Sequence, residues 1–367
     1  MDGRSRIKGA IERTPIDRMP FWSEELFTDT AHNWIRQGMP PNQAEREDFF
    51  GYDQTHLFID TSMRFEEKIV EETDETITVA DKFGFVATRN KLIPGIHYHE
   101  NPIKQVEDWR RHKERLSVDF GRGGRFHEVS YFKPFVEWPS WQDARTIYQR
   151  KANTGRYVSA AAYGPWETLW RLRGFSEAMM DLYENREMVE DIASHYVSFL
   201  IEVIRKGLET GIRLDAVIIN EDLGINTGPL FSPKTIRSIF VPTYKMLGAF
   251  LAKQKVHFIV HSCGDITELI PDFIEAGVNV LNPLQATVMD VVDLKPRYGE
   301  QLTFLGNINA RIMHDREAIR AELDRKLPVA LQGGGYIFVS DHSIPSEVTL
   351  ADYQFILQEA RRLGACR

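Results

Sequence analysis

Apolar residues in the second half of the chain come in short unbroken runs, without polar alternation. The runs are AVII (216–219), VHFIV (256–260), VNVL (278–281), LTFLG (302–306) and YIFVS (336–340). β-Branched and aromatic runs of this length are the pattern of parallel strands buried on both faces. Between the runs, apolar positions recur at helical spacing. SPKTIRSIFVPTYKMLGAFLAKQ has Ser232 as its predicted N-cap and Pro233 at the first helical position. DITELIPDFIEAG has an acidic first turn and Gly277 where a left-handed residue would end a helix. Repeated strand–helix units predict an α/β fold, and this succession fits a (β/α)8 TIM barrel. A doubly wound sheet is the alternative. No G-x-G-x-x-G follows the first strand of any unit, however, and the glycines at 333–335 precede a strand and read as a loop.

The first half is less regular. EEKIVEETDETITVADKFGFVATRN predicts antiparallel strands around turns, a β-containing elaboration beside the barrel. HENPIKQVEDWRRHKERL predicts an exposed helix after Asn101-Pro102, and residues 131–141 predict a loop. YVSAAAYGPWETLW predicts a strand that ends in a turn, with helices following through Lys206. There is no repeat and no low-complexity linker. The simplest organisation is one TIM-barrel domain over residues 1–367, with residues about 60–150 inserted beside it.

Composition narrows the class without naming a function. The chain is 43% hydrophobic and 27% charged, as soluble globular proteins are. Its net charge of -8 gives no electrostatic reason to expect nucleic acid or an anionic membrane as partner. No apolar run is long enough to cross a bilayer, and MDGRSRIKGAIERTPIDRMP lacks the features of a secretory signal. The two cysteines, Cys263 and Cys366, are far apart, so a cytoplasmic protein without a disulfide framework is expected. Cys366 reads as a tail residue without a role. A homodimer is compatible with the sequence.

The chemistry lies where the apolar runs end, which in a barrel is where function sits. AVII is followed by Asn220, Glu221 and Asp222. VHFIV is followed by His261, Ser262 and Cys263. Asn282, Pro283 and Gln285 follow VNVL, Gly306 and Asn307 follow LTFL, and Asp341 and His342 follow YIFVS. Glu221, Asp222 and Asp341 are candidate catalytic carboxylates, since paired acids can push one pKa up. Trp22, Glu24, Tyr163 and Asn220 are candidate substrate contacts, and Gln285 and Asn307 candidate cofactor contacts. Thiolate and imidazole are ligands suited to zinc, and His261 with Cys263 could chelate together. On spacing alone, a small buried cysteine beside a hydrogen-bonded core histidine carries equal weight.

Several ordered stretches resemble a known family. LGINTGPLFSPKTIRSIFVPTYKML, HSCGDITELIPDFIEAGVNVLNPLQ, LTFLGNIN and GGGYIFVSDHSIPSEVTLADY are similar to the uroporphyrinogen decarboxylase superfamily. The likeness runs from Gly164 to the C-terminus, with ERTPIDRMPFW a fainter match near the start. It implies a TIM barrel with its site at the strand ends. True decarboxylases of the superfamily hold a polycarboxylate with arginines after the first strand, where this chain has Glu24 and Glu25. The resemblance is closer to the corrinoid-dependent methyltransferase branch. That branch implies zinc held by His261 and Cys263, with His342 standing where the family has a cysteine, and Glu221 or Asp222 able to complete the shell. It further implies a corrinoid-binding partner protein and a small-molecule methyl donor of O-methyl ether or methylamine type, hence O-demethylase chemistry. The alternative is a metal-free decarboxylase or lyase in which His342, Asp222 and Tyr163 move protons.

Overall fold

The structure is a computed structural model in which residues 1–92, 95–130 and 133–365 are described. Cys366 and the first two residues of the loop expected at 131–141 lie outside the described residues. In chain order the strands are β1 (Gln54–Ile59), β2 (Lys68–Glu72), β3 (Thr76–Ala80), β4 (Val86–Asn90), β5 (Ile96–Glu100), β6 (Phe126–His127) and β7 (Tyr157–Tyr163). They continue with β8 (Ala216–Asn220), β9 (Gly224–Ile225), β10 (Gly228–Pro229), β11 (His257–His261), β12 (Val280–Asn282), β13 (Thr303–Leu305) and β14 (Tyr336–Ile337).

The main sheet has eight strands in the order β14-β13-β12-β11-β8-β7-β1-β6. Every neighbouring pair is parallel except β1 with the two-residue β6. The expected α/β fold and its five apolar runs are therefore present as parallel strands. A three-residue segment, residues 20–22, lies between the continuation of β14 and the start of β1. Phe21 forms a parallel bridge with Phe338, Trp22 N donates to Phe338 O at 3.0 Å, and Phe338 N donates to Pro20 O at 3.0 Å. On its other side, Asp53 N donates to Phe21 O at 2.8 Å.

Two apolar clusters follow from strand alternation, because successive side chains point to opposite faces. The larger packs the outward strand residues against the surrounding helices. The smaller fills the space between strands with Tyr157, Ala161, Ile218, Ile259, Val280, Leu305 and Ile337. The antiparallel strands expected in the first half form a four-stranded sheet, β2-β3-β4-β5. Its β3–β4 turn delivers Phe83 to the smaller cluster, 5.4 Å from the Tyr163 ring.

Local details depart from the sequence reading at two points. The long segment after Ser232 is two helices, Pro233–Ile239 and Val241–Gln254, with a break before Pro242, whose ring cannot continue an unbroken hydrogen-bond ladder. Pro233 does open the first helix, but Ser232 supplies no side-chain cap. Gly277 is left-handed, with φ +82°, as expected after Ile270–Glu275. Among the described residues, no helix is long and apolar enough to cross a membrane.

Candidate active site

A cavity of about 350 Å³ opens at the C-terminal ends of the parallel strands. Its floor is apolar, made by Ala161, Ile218, Leu305 and Val339, and Trp22, Phe58 and Tyr163 stand around it. The polar wall is where β8, β11 and β12 end. Asn220, His261 and Asn282 sit in register across these three strands.

His261 and Cys263 face the cavity together. The two-residue period of the strand persists past its end, so Ser262 points away, buried, and its hydroxyl accepts the Leu223 N–H at 3.0 Å. Cys263 Sγ lies 3.8 Å from His261 Nε2, and Asp222 Oδ1 lies 3.8 Å from the same nitrogen. One donor atom from each of Asp222, His261 and Cys263 falls within 4.8 Å of the other two. Zinc–nitrogen and zinc–sulfur bond lengths space donors by roughly 3.5 Å in a tetrahedral shell, so the trio needs only a small contraction to close on one ion.

The surroundings prepare these donors. His261 Nδ1 lies 2.6 Å from Asn282 Oδ1, and the Asn282 amide donates to Leu305 O at 2.9 Å. Asn282 Oδ1 can only accept, which puts a proton on Nδ1 and turns Nε2 to the sulfur and carboxylate; this is how metal-binding histidines are oriented. Burial alone would lower the His261 pKa. The hydrogen bond and charge of Cys263, with Asp222 and Asn282 behind them, raise it to about 10. The trio thus attracts positive charge, and its donor set fits a zinc-like cation.

The cysteine loop is held from three sides. Cys263 N donates to Asp222 Oδ1 at 2.9 Å, and Gly264 N donates to Gln285 Oε1 at 2.9 Å. Gly264 has φ +78°, and a Cβ there would meet the Gly224 carbonyl carbon at 2.1 Å. No other residue fits that turn.

Several expected site residues are turned into the wall or stand outside the donor trio. Glu221 is 0% exposed and points away from the cavity, because Asn220 and Asp222 on either side of it point in. Its carboxyl accepts Trp166 N at 2.9 Å, Glu167 N at 3.1 Å and the Tyr244 hydroxyl at 2.5 Å. It thus anchors the first turn of helix Pro165–Arg173, and burial pushes its pKa up to about 8. Gly164 leaves room for it, since a Cβ there would sit 2.1 Å from Glu221 Oε2. Asn307, expected at a cofactor, is fully buried. Its side chain accepts Val291 N and donates to Leu284 O and Met289 O, all spent on backbone. Gln285 holds Gly264 and does not line the cavity. His342, expected as third metal ligand, is outside the donor trio. It is exposed at the rim with its ring 5.6 Å from Phe27.

Others do reach the cavity. Asp341 lines it, with its two oxygens accepting Ala286 N and Ala310 N at 2.8 and 2.9 Å, so it ties two strand-end loops together. Glu24 lines it and accepts both the backbone N–H and hydroxyl of Ser340; burial raises its pKa to about 7. Trp22, Tyr163 and Asn220 line it as well.

Three titratable lining residues were not singled out from sequence. Glu167 and Arg171 sit one turn apart on the helix after β7 and form a buried ion pair. The Arg171 guanidinium lies 3.9 Å over the Tyr163 ring. An E-x-x-x-R spacing directly after a strand end was the available signal. His56, the third, projects from β1, whose QTHLFI sequence is too polar to stand out as a buried strand.

The fold is thus a mostly parallel α/β sheet with a thiol–imidazole–carboxylate cluster at its strand ends. The uroporphyrinogen decarboxylase (URO-D) family matches residues 127–363, more than half of the chain. The chain belongs to that family. Among solved structures, a methyltransferase from Methanosarcina mazei is similar over 99% of this chain and 98% of its own, with a TM-score of 0.68 and 15% identity. That likeness is one of fold. Dispersin B superposes over 73% of this chain and 87% of its own at 11% identity, but its TM-score of 0.36 carries no argument. No curated protein matches the sequence.

Proposed function

We propose that the protein is a zinc-dependent methyltransferase. It moves a methyl group between a small methylated substrate, of O-methyl ether or methylamine type, and a corrinoid carried by a partner protein. The observation that carries this reading is the convergence of Asp222, His261 and Cys263 at one point of the cavity wall. Family membership and the methyltransferase-like fold support it. When bound to the three side chains, zinc would polarise the heteroatom that bears the methyl group and make it a better leaving group.

The chain's own residues supply the setting. Asn282 holds the imidazole of His261 in its ligating tautomer. Asp341 fixes the loops after β12 and β13 through Ala286 and Ala310, which keeps the cavity wall in place. Glu24, half protonated near neutral pH, holds a proton at a carboxyl oxygen on the cavity wall. The same reading takes residues 20–22 as the eighth strand closing a (β/α)8 barrel. The whole chain is then one domain, with residues about 60–150 set beside the barrel, working in the cytoplasm.

Metal analysis tests the proposal. About one zinc per chain, lost in Cys263→Ala, together with methyl transfer from a methylated substrate to a reduced corrinoid protein, is expected. A second reading, a metal-free lyase acting on a carboxylated non-porphyrin substrate, is favoured by the buried guanidinium of Arg171 at the cavity wall. In that case Cys263→Ala and His261→Ala would bind no metal yet stay active.

A further inference from the structure

His56 places a polar nitrogen in the part of the cavity whose floor is otherwise apolar. Its ring stands edge-on to Trp22 at 5.7 Å and stacks along Phe58 at 6.1 Å. A chain of hydrogen bonds behind it settles where its proton is. Ser23 Oγ donates to Gln54 Oε1 at 2.7 Å, Gln54 Nε2 donates to Ser159 Oγ at 2.8 Å, and Ser159 Oγ lies 3.0 Å from His56 Nδ1. A serine hydroxyl has one proton to give. Ser159 accepts from Gln54, and among the described residues its hydroxyl has no acceptor other than the Nδ1 lone pair, so its own proton goes there. The remaining nitrogen, Nε2, must then carry the N–H.

No described residue accepts that hydrogen, and His56 lines the cavity. A second proton is disfavoured. It would leave the Ser159 hydroxyl proton without an acceptor among the described residues, and burial, with the charge of Lys151 behind it, holds the His56 pKa down to about 3. The cavity floor therefore presents one neutral donor of fixed direction. A buried donor without an acceptor costs stability, so its retention at a ligand cavity points to an acceptor on the ligand.

We propose that His56 is a specificity-determining residue that reads the deepest-seated end of the substrate. That end is an acceptor oxygen, of a carboxylate or carbonyl, on a small ring compound held among Trp22, Phe58 and Tyr163. The methyl-transfer reading is used only to orient the ligand, with its methyl-bearing end toward Cys263. β11 stands three strands away from β1 in the sheet, so a ring with groups at opposite ends spans the distance. An ammonium group at the deep end would meet a donor and be refused.

Calorimetry with three probes tests this: para-methoxybenzoate, para-methoxybenzylamine and methoxybenzene, which share a ring and a methyl ether. Wild type should bind the benzoate roughly tenfold more tightly than methoxybenzene, the worth of one charged hydrogen bond. His56→Phe should erase that preference and leave methoxybenzene affinity within about twofold. Ser159→Ala, which unlocks the tautomer without touching the ligand, should give a partial loss. Nitrogen NMR of the imidazole should show a proton on Nε2 in wild type, a signature that a packing role would not produce. Equal benzoate binding by wild type and His56→Phe, or stronger binding of the benzylamine, overturns the proposal. Zinc content of the same samples separates the two readings. A zinc-free protein that still loses benzoate preference with His56→Phe keeps this inference and sinks the other.

Discussion

Asn282 holds His261: the imidazole Nδ1 and the amide oxygen are 2.6 Å apart, and the amide nitrogen is itself tied to Leu305 O. Three neighbouring strand ends thus fix one ring. Replacing Asn282 by Ala should leave all three donor side chains in place and still weaken zinc binding by about 10- to 100-fold. Competition with a chromophoric chelator measures it. An unchanged affinity would mean that the histidine needs no orientation.

The donor trio and His342 make opposite predictions. Asp222→Ala, His261→Ala and Cys263→Ala should each lower zinc content well below one per chain, with circular dichroism unchanged. His342→Ala should keep full zinc content, because its ring stands at the rim beside Phe27. If His342→Ala loses the metal and Asp222→Ala does not, the assignment of the third ligand is wrong.

Glu221→Ala is expected to be a stability variant. It strips the acceptor from two backbone N–H groups and the Tyr244 hydroxyl at once. A loss of roughly 1–3 kcal/mol or more is expected in denaturant melts. Zinc affinity of the folded fraction should not move. A large drop in zinc affinity at unchanged stability would return Glu221 to the site.

Glu24 gives a pH dependence of defined sign. Burial raises its pKa from 4.5 to about 7. A raised folded-state value means that its favourable contribution is complete below about pH 4.5 and is lost as pH rises through 7. The stability of wild type minus that of Glu24→Gln should fall across that interval, by roughly 3 kcal/mol at most. Paired melts at pH 4.5 and 8 would show it, and a difference that rises with pH would contradict the burial of this carboxyl.

Strand ends were the most legible part of the sequence, because runs such as VHFIV and AVII have no other reading when they recur between helices. Which residue at a strand end faces the cavity was not legible. In AVIINED both faces of the strand are apolar, so nothing in the pattern tells Glu221 from Asp222. In the structure, side-chain parity from Asn220 separates them, with Asn220 and Asp222 facing the cavity and Glu221 the wall. Asn307 misled for a related reason: its backbone has φ +71°, which swings the side chain into the wall. The bridge of residues 20–22 to Phe338 was invisible because three residues carry no periodicity. His56 was hidden in a strand whose polar Gln54 and Thr55 are buried by partners brought from elsewhere in the chain.

Phe21 meets Phe338 across 317 positions of sequence, and the same three-residue segment also holds the start of β1. During synthesis this stretch leaves the ribosome long before Phe338 and must wait for that residue before it finds its neighbour. Until then Trp22 and Glu24 have no wall to stand on. The pocket is therefore finished late, whatever the order in which the helices pack, and a nascent chain halted short of residue 338 would carry Asp222, His261 and Cys263 without the completed cavity wall.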